Sequence, residues 1–422
     1  MFAVVMVAAA LLLSGCQKAA QVKPDYNKPL PPGANALRLL LSPADWPDLR
    51  EPYATKDGEL LTALDHSAKW YATPSSSKFF PLFDVTHLRA RTSVYAFRKL
   101  LETSQTPQDF ETAMLENFNC YTSVGFDDKG GVLYTGYFTP IFKGSTTPTA
   151  EFKYPLYRKP ADLDIDPLTG QVKGRKAGGG GYTQFPSRKE IESSDMLKGT
   201  ELVYVASRFD QYVIQVNGSA KIDLVDGKTM YVGYAGNNGH EYTGLGSTLV
   251  KEGKIEQERL NLANIREYFA QHPDEVERYI QMNDRYVFFS EYDGSVWPAG
   301  SLGVKVTPWR SLATDKSVFP RGSVLVVTCD VPDGGEGKRA YRQFMLDQDT
   351  GGAIRAAGRG DIYMGIGPEA EKFAGRQFSE GRLFYFFLKH EKVLEWHKQM
   401  LEDKGGKGPT TVSMVAGGRS GG

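Results

Sequence analysis

Toward the C-terminal end of the chain, carboxylates stand among glycines. The run Leu346-Asp347-Gln348-Asp349-Thr350-Gly351-Gly352-Ala353-Ile354 is followed by Gly358-Arg359-Gly360-Asp361-Ile362-Tyr363-Met364-Gly365. A carboxyl group can deliver or take a proton. Glycines beside it permit positive φ and let a bulky substrate approach the backbone. Asp361 immediately precedes a strand-like run, so a rigid element can aim its side chain into a groove. Each residue also has a purely structural reading: Asp349 as the cap of the Thr-Gly-Gly turn, Asp361 as the closure of an Asx-turn. Local sequence leaves both readings open. The triplet Arg359-Gly360-Asp361 spells an adhesion motif, a three-letter coincidence here.

Other chemistries find no footing. There is no Gly-x-Ser-x-Gly elbow, and neither Cys120 nor Cys329 has neighbours that would activate a thiol. The Gly-rich stretch from Lys176 to Gly181 lacks the Lys-Ser/Thr of a phosphate-binding loop and reads as a flexible loop. The six histidines (His66, His87, His240, His272, His390, His397) form no H-x-x-x-H pair, and no Cys/His cluster has zinc spacing. Neither a metal nor a cofactor is expected.

The elements that must position these residues follow from hydrophobic periodicity. Helical patterns occupy about 58–72 and 86–104, with a third over Asp109 to Asn119. From Gly131 short β-type runs take over: VLYTGYF, YPLYRK, ELVYVAS, YVIQV, KIDLV and MYVGYAG. Ser187-Arg-Lys-Glu190 is a capping-box signature for a short helix. Residues 255–283 read as helical with a break near Pro273, and β runs then resume with YVFFS, SVLVVTC, YRQFMLDQD, DIYMGIG and LFYFFLK. Helices followed by strands indicate a mainly β, α+β protein.

The chain has 422 residues, with 50 Lys and Arg balancing 50 Asp and Glu, 41% hydrophobic and 24% charged. That length supports two to three domains with sizeable cores. Zero formal charge supplies no field to gather polyanions, which argues against nucleic acid as a partner. Residues 1–15 are uncharged, with an apolar run from Phe2 to Leu13, and end at Leu13-Ser14-Gly15-Cys16. No Lys or Arg precedes that run. The string resembles a bacterial lipobox, which implies a signal peptide at 1–15, acylation of Cys16 and a membrane lipid anchor. Gln17 after the cysteine implies the periplasmic face of the outer membrane. The Pro-rich segment 16–36 reads as a flexible tether, and 396–422 as a disordered tail. Cys120 and Cys329 either pair or remain free thiols; sequence does not decide.

Ala313-Thr314-Asp315, Pro320-Arg321-Gly322-Ser323-Val324, Asp349-Thr350-Gly351-Gly352-Ala353-Ile354 and Asp361-Ile362-Tyr363 together resemble the three-aspartate domain of cell-wall lytic enzymes. With Thr135-Gly136-Tyr137-Phe138-Thr139-Pro140, Gln215-Val216-Asn217-Gly218-Ser219, Tyr234-Ala235-Gly236-Asn237-Asn238-Gly239-His240, GSLGVKVTPWRS from Gly300 and Gly365-Ile366-Gly367-Pro368-Glu369-Ala370, the wider chain resembles the membrane-bound lytic murein transglycosylase A family. Asn217 stands where that family more often has Gln or His. The match runs over roughly residues 85–390.

The resemblance implies a double-psi β-barrel domain from 37–141 and 292–395, an inserted β-rich substrate-binding domain at 142–291, and a glycan groove between them. It implies cleavage of the β-1,4 bond between N-acetylmuramic acid and N-acetylglucosamine of peptidoglycan strands, leaving a 1,6-anhydromuramoyl end. Asp361 aligns with the catalytic acid, and Asp349 is the natural neighbour to raise its pKa, orient it or stabilise oxocarbenium charge. Because the sugar's own C6 hydroxyl is the nucleophile, one carboxyl can act as acid and then base. Thr135, Tyr137, Gln215, Ser219, Tyr234, Asn238 and Trp297 are groove candidates, each with a core reading beside it. Asp315 is a further candidate with a structural reading. A two-carboxylate muramidase and a non-catalytic peptidoglycan-binding scaffold remain alternatives, and the address leaves room for cell-wall synthases or scaffolds as partners.

Overall fold

A computed structural model describes residues 24–166, 171–256 and 259–403. The predicted helices form where their caps dictate. Asp57 accepts the Leu60 N–H to open Gly58–Tyr71, and Thr86 accepts the Arg89 N–H to open His87–Thr103. The third helix, Pro107–Asn117, begins two residues earlier than its hydrophobic pattern suggested. Thr106 and Asp109 form a capping box with Pro107 in the first turn, and Phe118 already starts a strand. The segment predicted helical over 255–283 divides into Leu262–Gln271 and Val276–Gln281, separated by a 3-10 turn at Pro273.

Six strands build the element that carries the carboxylates: β1 (Val132–Thr139), β2 (Ser311–Ala313), β3 (Val324–Pro332), β4 (Lys338–Asp349), β5 (Arg359–Ile366) and β6 (Phe378–Leu388). Their order is β6-β3-β4-β2-β5-β1, and β6 also pairs with β1, so the sheet closes on itself. Pairs β1/β5 and β2/β4 are parallel, and the other pairs of the ring are antiparallel. Closure leaves no edge within the ring. Strands Phe118–Ser123 and Leu37–Leu39 extend it outward from β6. The helices before β1 pack on the same core, which includes Phe97, Phe110, Tyr134, Leu312, Phe344 and Ile362.

A second, six-stranded sheet is formed by Val287–Tyr292, Thr229–Asn237, Ser219–Leu224, Ile141–Ser145, Glu201–Val205 and Tyr154–Tyr157, in that order. It has its own apolar core, and the Gly-rich loop predicted at Lys176 to Gly181 connects two strands of a small third sheet. Ser187 and Glu190 make both capping-box bonds.

Two expectations at the ends need correction. The tether does not swing free over its whole length. Tyr26 donates to Glu380 at 2.7 Å, its ring packs edge-on to Phe126 and Phe378, and Ala36 is buried. The tail is ordered as helix from Val393 to Asp403, because Val393 and Met400 are buried, Trp396 bonds Asn117, and Asp403 pairs with Lys99. Residues 1–15 and Cys16, read above as a signal peptide and its lipidation site, and residues beyond 403 lie outside the described residues. Cys120 and Cys329 are free thiols. No described helix is long and apolar enough to cross a membrane.

Candidate active site

Register brings the two carboxylates to one level of the ring. Asp361 pairs with Thr135 on β1 and with Ala313 on β2, and Ala313 pairs in turn with Asp349 on β4. Leu312 and Ile362, the neighbouring pair, point into the core, so Ala313 and Asp361 share the opposite face. Asp349 reaches that face through a bulge. Leu312 pairs with Asp347 and Ala313 with Asp349, so Gln348 is the extra residue and absorbs one alternation. Gln348 is fixed there, donating to the Ala63 carbonyl at 2.7 Å and to Ser67 Oγ at 3.0 Å. Adjacent strands lie about 4.8 Å apart, so the two aspartates are two strand spacings apart with only the Ala313 methyl between them.

The two carboxylates sit in different electrostatic settings. Asp361 Oδ1 accepts from Thr135 Oγ1 at 2.9 Å, and Arg359 donates to the same hydroxyl oxygen at 3.2 Å, which turns the hydroxyl proton toward the carboxylate. Oδ2 has no hydrogen-bond partner among the described residues. Burial pushes the Asp361 carboxyl up to about 7, against the Arg359 charge and the Thr135 bond that hold it down, with Asp349 adding a smaller upward push. Asp349 is more tightly held. Oδ1 accepts from the Ser301 and Thr350 N–H groups, each at 2.8 Å, and Oδ2 from Tyr137 OH at 2.7 Å. Burial raises its pKa while these donors pull it back.

Thr135 and Tyr137, two residues apart on β1, thus contact one carboxylate each. Ser219 lies where the two sheets meet, 3.4 Å from Thr139 Oγ1, which also meets Tyr363 OH at 3.1 Å. Tyr234 is 43% exposed and offers an open ring.

The remaining groove candidates are buried. Trp297 is 4% exposed, donates its indole N–H to the Val232 carbonyl at 3.1 Å and packs on Tyr231, so it is a core residue. Asn238 is buried and fully used, donating to the Pro186 and Asp284 carbonyls and accepting from the Tyr286 N–H. Gln215 is buried within helix Arg208–Asn217. Asp315 holds a loop: Oδ1 accepts from Ser317, and Oδ2 accepts the Ala356 N–H at 2.8 Å. That loop joins the two carboxylate strands, and Ala356 sits in it at φ +61°.

Three contributors were not read from sequence. Arg359 was visible only as part of a chance triplet, Ser301 acts through its backbone, and Ala313 matters by being small. Beneath the site, Lys316 and Thr314 bond the fully buried Asp347, which also accepts from Tyr385 OH at 2.8 Å. Among the described residues, no three His, Cys, Asp or Glu side chains converge to hold a metal.

Two family models match the chain: the MltA specific insert domain over residues 133–290 and the 3D domain over residues 310–387. The membrane-bound lytic murein transglycosylase A of Escherichia coli strain K12 is 33% identical over 265 residues, covering 62% of this chain and 67% of that protein. Among solved structures, a membrane-bound lytic murein transglycosylase from Agrobacterium tumefaciens has a TM-score of 0.68 at 24% identity, covering 86% of this chain and 99% of that one. Escherichia coli MltA with bound chitohexaose has a TM-score of 0.65 at 24% identity, covering 86% and 96%. At these identities, both structures speak for a shared fold.

Proposed function

The chain belongs to the membrane-bound lytic murein transglycosylase A family, and we propose that it cleaves the β-1,4 bond between N-acetylmuramic acid and N-acetylglucosamine in peptidoglycan, leaving 1,6-anhydromuramoyl ends. The observation that carries the reading is Asp361: a carboxyl held by one oxygen, open at the other, and raised to about 7 by burial. Such a group is protonated often enough near neutrality to act as an acid.

In the proposed reaction, the Asp361 proton passes to the glycosidic oxygen as the bond from C1 of the muramoyl residue breaks. The N-acetylglucosamine leaves with a free C4 hydroxyl. The Asp361 carboxylate then takes the C6 hydroxyl proton as the C6 oxygen bonds to C1. No water is consumed and Asp361 ends as it began. Asp349, with three donors holding it as an acceptor, lies where negative charge would stabilise the oxocarbenium-like transition state. The same three bonds leave it poorly placed to deprotonate a water, which weighs against the two-carboxylate hydrolase.

The closed six-stranded ring we read as a double-psi barrel, contributed by 37–141 and 292–395, with 142–291 inserted as the substrate-binding domain. Tyr137, Ser219 and Tyr234 belong to the groove in this reading. We further propose cleavage before Cys16, lipidation of that residue and residence on the periplasmic face of the outer membrane, for cell-wall turnover. Mass analysis of purified peptidoglycan digested by wild type and by Asp361→Asn tests the activity. Anhydromuropeptides from wild type alone are expected; hydrated reducing ends would replace this reading with the hydrolase, and intact strands that still bind the protein would leave a scaffold.

A further inference from the structure

Arg285 precedes the strand Val287–Tyr292 of the second sheet and reaches across to the turn that follows Asp349. A methyl group built at Gly352 would meet its guanidinium at 3.4 Å. Its side chain makes one hydrogen bond, to the His240 carbonyl at 3.3 Å. No carboxylate lies within ion-pair distance among the described residues, although Glu241 is near enough to act on its charge. Arg355, three residues beyond Gly352 on the loop between Asp349 and Asp361, is exposed and has no polar partner among the described residues, and its charge acts on Arg285. Beside them stands the open ring of Tyr234.

Two guanidinium charges directed to one loop without a carboxylate partner repel each other. Arg89, Arg188, Arg208, Arg266, Arg278 and Arg310, also partly or fully withdrawn from water, each pair with a carboxylate. A planar guanidinium donates two parallel bonds to a carboxylate, so the missing partner has a defined chemistry. We propose that Arg285 and Arg355 form an anion subsite that binds a carboxylate of the peptide stem on the muramoyl residue being cut. This rests on the function proposed above. The stem leaves the sugar from its lactyl group, so an anchored stem carboxylate would fix which sugar of a repeating strand lies over Asp361.

The test uses the detergent-solubilised full chain carrying Asp361→Asn, so that binding is read without cleavage. Its Kd is measured for peptide-bearing glycan strands, for the same strands with their carboxylates chemically amidated, and for strands stripped by an amidase. Amidation is expected to weaken binding roughly tenfold or more, the range of a charge-assisted pair. Arg285→Gln should remove that difference, and Arg355→Gln, at an exposed position that leaves the fold intact, should reduce it. Equal binding to native and amidated strands would overturn the subsite. So would a preference for stripped strands over amidated ones, because the anion would then be the lactyl carboxylate exposed by the amidase. Wild-type enzyme run on native strands separates the two ideas: failure to release anhydro ends counts against the proposed function, while the binding result still decides the subsite.

Discussion

At the scale of single residues, the site is a contest over one proton. Burial lifts Asp361 to about 7, and Arg359 and Thr135 oppose the lift. The acid form is lost as pH rises through that value, so cleavage should decline on the alkaline side. Removing either opposing group frees the pKa to rise further. Arg359→Gln and Thr135→Val should therefore both move the alkaline limb of the pH–rate profile to higher pH, read as anhydromuropeptide release. A limb that stays in place, or moves down, contradicts the assignment of Asp361 as the titrating acid. Asp315 acts one step removed, through the loop between the carboxylate strands. Ala356 there adopts a left-handed φ of +61°, which costs a non-glycine residue about 1–2 kcal/mol. Ala356→Gly should raise stability by roughly 1 kcal/mol. Asp315→Ala strands a buried N–H and should lower it by about 1–3 kcal/mol. Urea unfolding of the two variants checks both signs, and destabilisation by Ala356→Gly would remove the strain argument.

At the scale of elements, the short strand β2 and the bulge in β4 decide whether two aspartates become one site. Ala313 supplies only a methyl between them. Ala313→Val should fill that space and cut the cleavage rate roughly a hundredfold by displacing the bound strand. Ala313→Gly should stay near wild type, and a Val variant of full activity would mean that the substrate approaches elsewhere. The carboxylates themselves were legible in the sequence, because glycines around Asp349 and Asp361 marked an unusual loop. Their common face was not. Strict alternation from Asp347 sends Asp349 inward with it, and only the extra residue Gln348 turns it outward. The extra residue is held by the Ala63 carbonyl, 285 positions away in sequence, and by Ser67 of the same helix, so no local pattern encodes the bulge. Helices were easier, since Asp57, Thr86 and Ser187 cap them from adjacent positions.

At the scale of the whole molecule, two sheets with separate cores meet around the site. Thr139 links Tyr363 on one side to Ser219 on the other, and Arg266 of the second body faces Glu371 of the first at 3.5 Å. Strand periodicity could find β runs on both sides of a helical stretch, but not which runs share a sheet. The ordered motifs of the family supplied that expectation. A flat aromatic face made Trp297 a groove candidate, whereas its indole donates to the Val232 carbonyl and packs on Tyr231 in the core. An acid kept at about 7 also taxes the fold as a whole. The unfolded carboxyl titrates near 3.8, so the native state holds a proton between the two values that the unfolded chain has released. Stability from this group is full below about 3.8, falls as pH rises toward 7 and is level above it. Asn cannot ionise. Asp361→Asn should therefore match wild type near pH 4 and exceed it by about 1–2 kcal/mol at pH 8, the modest figure reflecting a side chain partly open to water. Denaturant melts of both proteins at the two pH values read this directly. An inactive variant that gains stability only at the higher pH identifies the buried proton as the source of both effects; a pH-independent gain would trace it to packing instead.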